Sequence, residues 1–367
     1  VPDYKKRWSK MRSILRDREL DAILVMDMPS VFYFTGACPS RPPGLIISAD
    51  EGDTPLLMTR AMEAAEMGAL TDADTVGAEE GAADELIAEQ LAGLGDSSGV
   101  RVGFEERHLN AEAFLALQSA LTDCELVPAS QLLSEVRLIK EPEEIEHMRD
   151  ATEVTNEAMT RAVEAIKAGQ PECLAASAAE QVMRKNAMSP GYEILIGSGV
   201  RSGHLRRYPG DIVPADDDMV RLDLGAGKFF AASFGYYSDV TRTLTPKAPR
   251  GRDLAQLEAN LAVQRTTLAA LRPGVTIAEA SRQGLAEVEG SEFAEFTRMA
   301  GHGIGLFVHE WPSFNENTEV TLQPGMAFAI EPMIILPGEQ ATCIEDTVVI
   351  TETGHERLST LPQDIWD

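Results

Sequence analysis

An α/β domain followed by an α+β domain is the fold class this sequence predicts, on three observations. The chain has 367 residues, more than a single core of ordinary size holds. Residues 1–135 alternate short apolar runs with amphipathic segments, the signature of strands interleaved with helices. Residues 136–367 open on two long amphipathic segments, and most of their strand-like runs come later. That order fits helices gathered against an antiparallel sheet.

In the first domain, "AILVMD", "GLIISA", "TPLLMT" and "VRVGFEE" read as strands. "YKKRWSKMRSILRDREL", "AADELIAEQLAGL" and "NAEAFLALQSAL" read as helices. The second domain begins with a helix entered at Pro142, where a missing N–H costs nothing. Glutamates in its first turn favour the positive end of the helix dipole, and the helix is expected to end near Gly169. "CLAASAAEQVMRKN" is a second helix. "YEILIGSG", "MVRLDLGAG" and "YYSDVTRTLT" read as strands. "LAQLEANLAVQRTTLAAL" is a third helix, and a fourth is started by the capping box of Thr276 and Glu279. "MAFAIEPMII" and "CIEDTVVIT" close the chain as strands.

Composition removes several functions. The net charge of −27 opposes binding to nucleic acid, which requires a positive surface. No apolar run is long enough to span a bilayer. The opening "VPDYKKRWSK" lacks the apolar core of a signal peptide. A soluble, cytoplasmic protein is therefore expected. The four cysteines, Cys38, Cys124, Cys173 and Cys343, form no CxxC pair, which argues against a zinc ribbon or a disulfide framework. Eight lysines stand against 24 arginines, and the acidic residues are spread along the chain. Such a surface suits a salt-rich cytoplasm, where screening softens self-repulsion.

Two of the six histidines lie in "GHGIGLFVHE". A histidine in an apolar run is commonly a hydrogen-bonded core residue. Glycines around His302, however, allow close backbone approach to a ligand, and neutral imidazole is the commonest protein metal ligand. Four carboxylates also fall in apolar runs: Asp223 in "VRLDLGAG", Asp239 in "YYSDVTRT", Glu331 in "FAIEPMI" and Glu345 in "CIEDTVVI". Each is costly there unless paired or metal-bound. Together they would repel one another, and divalent cations relieve that repulsion. One imidazole with four carboxylates suits manganese, iron, cobalt or zinc.

The order Asp223, Asp239, His302, Glu331, Glu345, in "LDLGA", "SDVTRT", "GHGIGLFVHEWP", "IEP" and "IEDT", resembles the pita-bread metallopeptidases. "RLIKEPEEIEHMRDA" and "LDAILVMDMPSVFYFTG" are similar to the prolidase and aminopeptidase P branch, with its creatinase-like N-terminal domain. The resemblance implies a pita-bread catalytic domain and two divalent ions, manganese first among the candidates. Asp223 would chelate one ion, Asp239 and Glu345 would bridge the two, and His302 and Glu331 would complete the other shell. Glu331 would double as general base for the bridging water, and His309 would steady the tetrahedral intermediate. A small peptide substrate, hydrolysis of Xaa-Pro bonds and a homodimer follow from the same resemblance.

Three departures mark this chain. The pattern places a histidine late in the segment that here reads "SGVRSGHLRRYPGD". Arg206 holds that position and His204 lies two residues before it. Either His204 takes over the catalytic role, or Arg206 binds a substrate carboxylate; otherwise Arg201, Arg206 and Arg207 form a surface cluster. The stretch from Asp223 to Asp239 is about five residues longer than the pattern. Its aromatics would pack on the sheet or form part of a lid. Cys343 stands where an arginine often precedes the last glutamate. Arg41, in "YFTGACPSRPPG", is a candidate substrate contact reaching a partner's site. These departures leave a non-peptide amidohydrolase, such as an ectoine hydrolase, as the main rival. Creatinase-like chemistry and a non-catalytic scaffold are further rivals, disfavoured because all five ligand positions are kept.

Overall fold

A computed structural model describes residues 2–40, 44–80, 82–93, 99–122, 124–231 and 234–365. The chain divides into two compact units, Val1–Arg137 with Phe230–Phe234, and Leu138–Phe229 with Gly235–Asp367. Among the described residues no helix is long and apolar enough to cross a membrane.

The first unit is built on a six-stranded mixed sheet. Its order is Asp74–Ala78, Leu56–Arg60, Gly44–Ser48, Ala22–Val25, Val100–Phe104, Cys124–Pro128. The near-continuous apolar reading of "AILV" has its reason here, for all four residues of that strand are buried. The two edge strands, and the helix Met28–Thr35, escape a reading by apolar runs. "DTVGA" and "CELVP" carry too few apolar residues, and none of Cys124–Pro128 is buried.

The second unit begins with the helix Pro142–Lys167, continued by Ala168 as its cap and by Gly169 at φ 76°. Glu144 accepts a hydrogen bond from the Glu141 N–H at 2.9 Å, holding the first turn. Its buried face, including Ala151, Ala158 and Ala162, packs on the helix Glu172–Lys185 through Ala175 and Ala179. Alanine on both faces lets the two backbones approach closely. The expected capping box is present: the Glu279 N–H donates to Thr276 Oγ1 at 3.1 Å, and the Thr276 N–H to Glu279 Oε2 at 2.9 Å.

Among the described residues the strand pairings of this unit are antiparallel, but several runs that read as single strands are broken. "MAFAIEPMII" divides into Ala327–Ile330 and Pro332–Ile335 around Glu331, and each half joins a different sheet. "CIEDTVVIT" divides into Ala341–Cys343 and Asp346–Ile350 around Glu345, and its halves pair with the halves of the first. Asp239 lies in the gap between Phe234–Tyr237 and Val240–Leu244. Only Asp223 sits inside a strand, Val220–Leu224.

A break between strands frees backbone carbonyls that must find donors. The helix Gly251–Ala270 supplies them from three amides four residues apart. Gln256 Nε2 donates to the Ile334 carbonyl at 3.0 Å. Asn260 Nδ2 donates to the Pro332 and Thr342 carbonyls, each at 3.1 Å. Gln264 Nε2 donates to the Ile330 carbonyl at 3.1 Å. All three amides are buried.

The long stretch from Asp223 to Asp239 is an extra pair of strands, Ala226–Ala231 and Phe234–Tyr237, inserted into the pairing of Val220–Leu224 with Val240–Leu244. Phe229 and Tyr237 meet edge to face at 5.8 Å, so these two rings pack on each other.

Candidate metal centre

Each site residue is set by the break or strand beside it. Asp223 is opposite Thr241 and Leu195 in its sheet. The Asp239 backbone is held on both sides by Thr347: its N–H donates to Thr347 Oγ1 at 3.0 Å, and its carbonyl accepts from that hydroxyl at 2.8 Å. Thr241 Oγ1 donates to Glu345 Oε2 at 2.8 Å, and the Glu345 N–H donates to the Thr241 carbonyl at 2.9 Å. Thr241 of "SDVTRT" therefore fastens the Glu345 carboxylate, and Thr347 of "IEDT" fastens the Asp239 backbone.

His302 Nδ1 lies 3.0 Å from the Gly303 carbonyl and donates to it. This leaves the Nε2 lone pair free. Nε2 faces Asp239 Oδ2 at 3.6 Å and Glu345 Oε1 at 3.8 Å. Burial, then the neighbouring His309, lowers the His302 pKa to about 4, so the imidazole is neutral near pH 7. The two histidine rings are 4.1 Å apart at their centroids. His309 is the exposed member of the pair, and burial of its ring lowers its pKa too.

The carboxylates share too few protons and too few partners. Tyr192 carries one hydroxyl proton, yet its oxygen contacts both Asp223 Oδ1, at 2.8 Å, and Asp239 Oδ1. Burial and then the charge of Asp223 push the Asp239 carboxyl well up. Burial, then Asp239, does the same to Glu345. Burial and then Asp223 raise Glu331 from 4.5 to about 7. Glu345 Oε1 is buried with no hydrogen-bond partner among the described residues. Ligand atoms of Asp239, His302 and Glu345 all lie within 4.8 Å of one another. A lone pair on nitrogen, an orphaned buried oxygen and mutually repelling carboxylates fit a divalent cation.

The structure thus gathers Asp223, Asp239, His302, His309, Glu331 and Glu345. It treats the remaining candidates differently. The His204 side chain is exposed, and its carbonyl faces inward. The Arg206 side chain is 77% exposed and meets Glu193 at 3.6 Å. The surface-cluster reading fails for its two neighbours. Arg201 binds the fully buried Glu172 at 2.6 Å, and Arg207, buried, binds Asp223 Oδ2 at 2.7 Å. Chain geometry explains this: Arg207 follows the turn at His204, and its carbonyl accepts from the Ile196 N–H at 3.0 Å, which draws it onto the sheet. Arg41 lies outside the described residues. The two threonines carry no signal in the sequence, because a threonine in a strand is ordinary packing.

Because Glu331 has a higher pKa folded than unfolded, the metal-free folded state takes up a proton between about pH 4.5 and 7. Its stability therefore falls as pH rises through that window, and the penalty is absent below it. Glu331 alone accounts for roughly 3 kcal/mol. The gap in Tm between metal-loaded and metal-stripped protein should widen by several degrees from about pH 5 to about pH 8. Scanning calorimetry of both forms would measure it, and a constant gap would count against a repelling cluster.

Comparison with known proteins agrees with this geometry. Residues 146–352 match the metallopeptidase family M24, and residues 7–139 match the creatinase/prolidase N-terminal domain. The chain belongs to metallopeptidase family M24. It is 29% identical to an Xaa-Pro dipeptidase of Pyrococcus horikoshii, over 95% of each chain. Among solved structures it superposes on the prolidase of Pyrococcus horikoshii with a TM-score of 0.88, 26% identity and coverage of 98% and 99%. An Xaa-Pro dipeptidase from Bacillus anthracis gives a TM-score of 0.89, 26% identity and 99% coverage of both chains. The fold also matches aminopeptidase P of E. coli, TM-score 0.80 over 97% and 95% of the two chains, at 22% identity. The expected fold, a creatinase-like N-terminal domain and a pita-bread catalytic domain, is the one found.

Proposed function

We propose that this metallopeptidase hydrolyses the bond before proline in small peptides, as an Xaa-Pro dipeptidase or aminopeptidase. The observation that carries the reading is the set of one neutral imidazole and four clustered carboxylates, of which Asp239 and Glu345 are buried and Glu331 in the metal-free site is raised to about 7. Names of full-length relatives support the substrate class. Asp223, Asp239, His302, Glu331 and Glu345 would hold two divalent ions, manganese foremost, with cobalt, iron and zinc as alternatives. When bound, the ions lower the pKa of water and polarise a carbonyl. Glu331 takes the proton from the attacking water and passes it to the leaving nitrogen. His309, on the exposed side of His302, would donate an N–H to the oxygen on which charge develops. Tyr192 and Thr241 hold carboxylates in place, and Thr347 holds the Asp239 backbone.

The reading includes a homodimer in a salt-rich cytoplasm, and the charge of −27 with few lysines supports the salt. Cys343, buried where an arginine is expected, favours one second reading, a non-peptide amide substrate such as ectoine. Steady-state assays in high salt, on metal-stripped protein with manganese added back, separate the two. An Xaa-Pro dipeptide, a longer Xaa-Pro peptide, a non-proline control and ectoine form the panel. Proline-specific cleavage that returns with manganese is expected. Ectoine turnover without peptide cleavage would replace the reading.

A further inference from the structure

Arg207 and Arg221 are buried at 3% and 1% exposure. Arg221 lies two residues before Asp223 in the same strand, so both side chains stand on one face. On that face Arg221 is opposite Thr243, whose hydroxyl donates to the Cys343 carbonyl at 2.9 Å; Asp223 is opposite Thr241, which binds Glu345. Cys343 Sγ in turn donates to Glu331 Oε1 at 3.5 Å. The two guanidiniums converge on one acceptor, the His204 carbonyl, at 2.8 Å from Arg221 and 3.4 Å from Arg207. Gly197, the other cross-strand neighbour of Arg221, makes this possible: a Cβ there would come within 2.9 Å of the Arg207 Cβ.

Two adjacent buried guanidiniums repel each other and are tolerated only beside negative charge. Arg207 has its partner in Asp223. Arg221 makes no ion pair among the described residues, and its Nε and Nη1, with Arg207 Nε, are buried without hydrogen-bond partners. What surrounds Arg221 electrostatically is Arg207, Cys343, Asp223 and Glu331. Hydrogen bonding does not explain its burial, whereas balancing the carboxylate cluster does. We propose that Arg207 and Arg221 are positioning residues that form a fixed counter-cation for this cluster, holding Asp223 in place and weakening the pull of the site on divalent ions.

Two permanent positive charges offset half of the four carboxylates. The cluster then keeps its shape without metal, and an ion binds against positive charge, less tightly than to the bare carboxylates. In this chain the cation comes from position 221, and the facing position 343 carries an uncharged thiol.

The inference rests on the proposed metal reading, and manganese titration of stripped protein tests both separately. Calorimetric titration of wild type should show binding; its absence overturns the metal reading itself. Arg207→Met and Arg221→Leu should each lower the manganese Kd on the order of tenfold or more, since a unit charge is removed beside a divalent ion in a poorly screened site. Arg207→Lys and Arg221→Lys keep the charge and should stay within about threefold of wild type. In Arg221→Leu/Cys343→Arg the charge returns from the facing strand, and Kd should return toward the wild-type value. A purely structural role predicts no such pattern, and wild-type Kd in both neutral variants would overturn the proposal. Should the neutral variants fail to fold, the two lysine variants and the charge-swapped protein decide. Any of these that folds but departs from wild-type Kd by more than tenfold, or a charge-swapped protein that does not fold, overturns it.

Discussion

Asp239→Asn is expected to produce a protein that is inactive yet more stable than wild type once both are stripped of metal. Asp239 is 4% exposed, and its two oxygens face Tyr192 and His302. Asparagine keeps the shape, and Thr347 still holds the backbone on both sides. What disappears is one of four mutually repelling charges in a buried place, and the amide can donate where the carboxylate only accepts. Stripped Asp239→Asn should gain about 1–3 kcal/mol, which is several degrees in Tm. Manganese-supported cleavage should fall by more than ~100-fold, the upper range for disturbing a ligand's support alone. Thermal unfolding and steady-state assays on the same preparations give both numbers. A stripped variant weaker than stripped wild type would refute the repulsion argument, and retained cleavage would refute the ligand assignment.

Arg242→Met is expected to cost about 3–5 kcal/mol, the range for breaking a buried ion pair by removing one partner. Arg242 and Asp346 are both fully buried and meet at 2.7 Å. Arg242 also donates to the carbonyls of Glu345 at 2.6 Å, Thr241 at 2.9 Å and Pro362 at 2.8 Å. Asp346 accepts from Ser359 and Gln363, each at 2.6 Å, and from Gln264 at 3.0 Å. Burial pushes the Asp346 carboxyl up, but Arg242, Arg357 and these donors outweigh it and hold the pKa below its ordinary value. That contribution to stability is present above the unfolded carboxylate pKa and is lost as pH falls through the folded one. Without Arg242 a charged, desolvated Asp346 is left beside Glu345, and Tm should drop by roughly 10 °C or more. Arg242→Met/Asp346→Leu should lose less than Arg242→Met alone. If the double variant is the worse of the two, the value of the pair lies in packing rather than in charge.

How much of this was legible in the sequence depends on the kind of signal. The two-part organisation was, because apolar periodicity changes character near residue 136. The cluster of one histidine and four carboxylates was, because a carboxylate in an apolar run is anomalous by itself and five anomalies in order are more so. The breaks at Glu331 and Glu345 were not, because strand-favouring residues stand on both sides of each carboxylate, and only the pairing of the two runs into two sheets reveals the corner. Arg207 was not, because nothing local separates it from Arg206. One residue points outward and the next inward, and that alternation is set by the register of the strand Leu195–Ser198 beside the loop. Tyr192, a lone tyrosine ahead of a strand, carried no mark at all.

The three amides of the helix Gly251–Ala270 have a bearing on how accurately the reacting groups can be placed. Hydrophobic contact is forgiving, and a helix on a greasy face slides by fractions of an ångström at little cost. Gln256, Asn260 and Gln264 replace that tolerance with a ratchet. Gln264 and Asn260 grip the carbonyls on either side of the corner at Glu331, and Gln256 grips Ile334 farther along the same strand, so a slip along the axis releases all three grips together. Only whole-turn displacements would find a new set of teeth, and no other amide lies one turn beyond either end of the row, where Arg252 and Leu268 stand. The helix therefore works as a jig with a single seat, and Glu331 and Glu345 inherit their position from it.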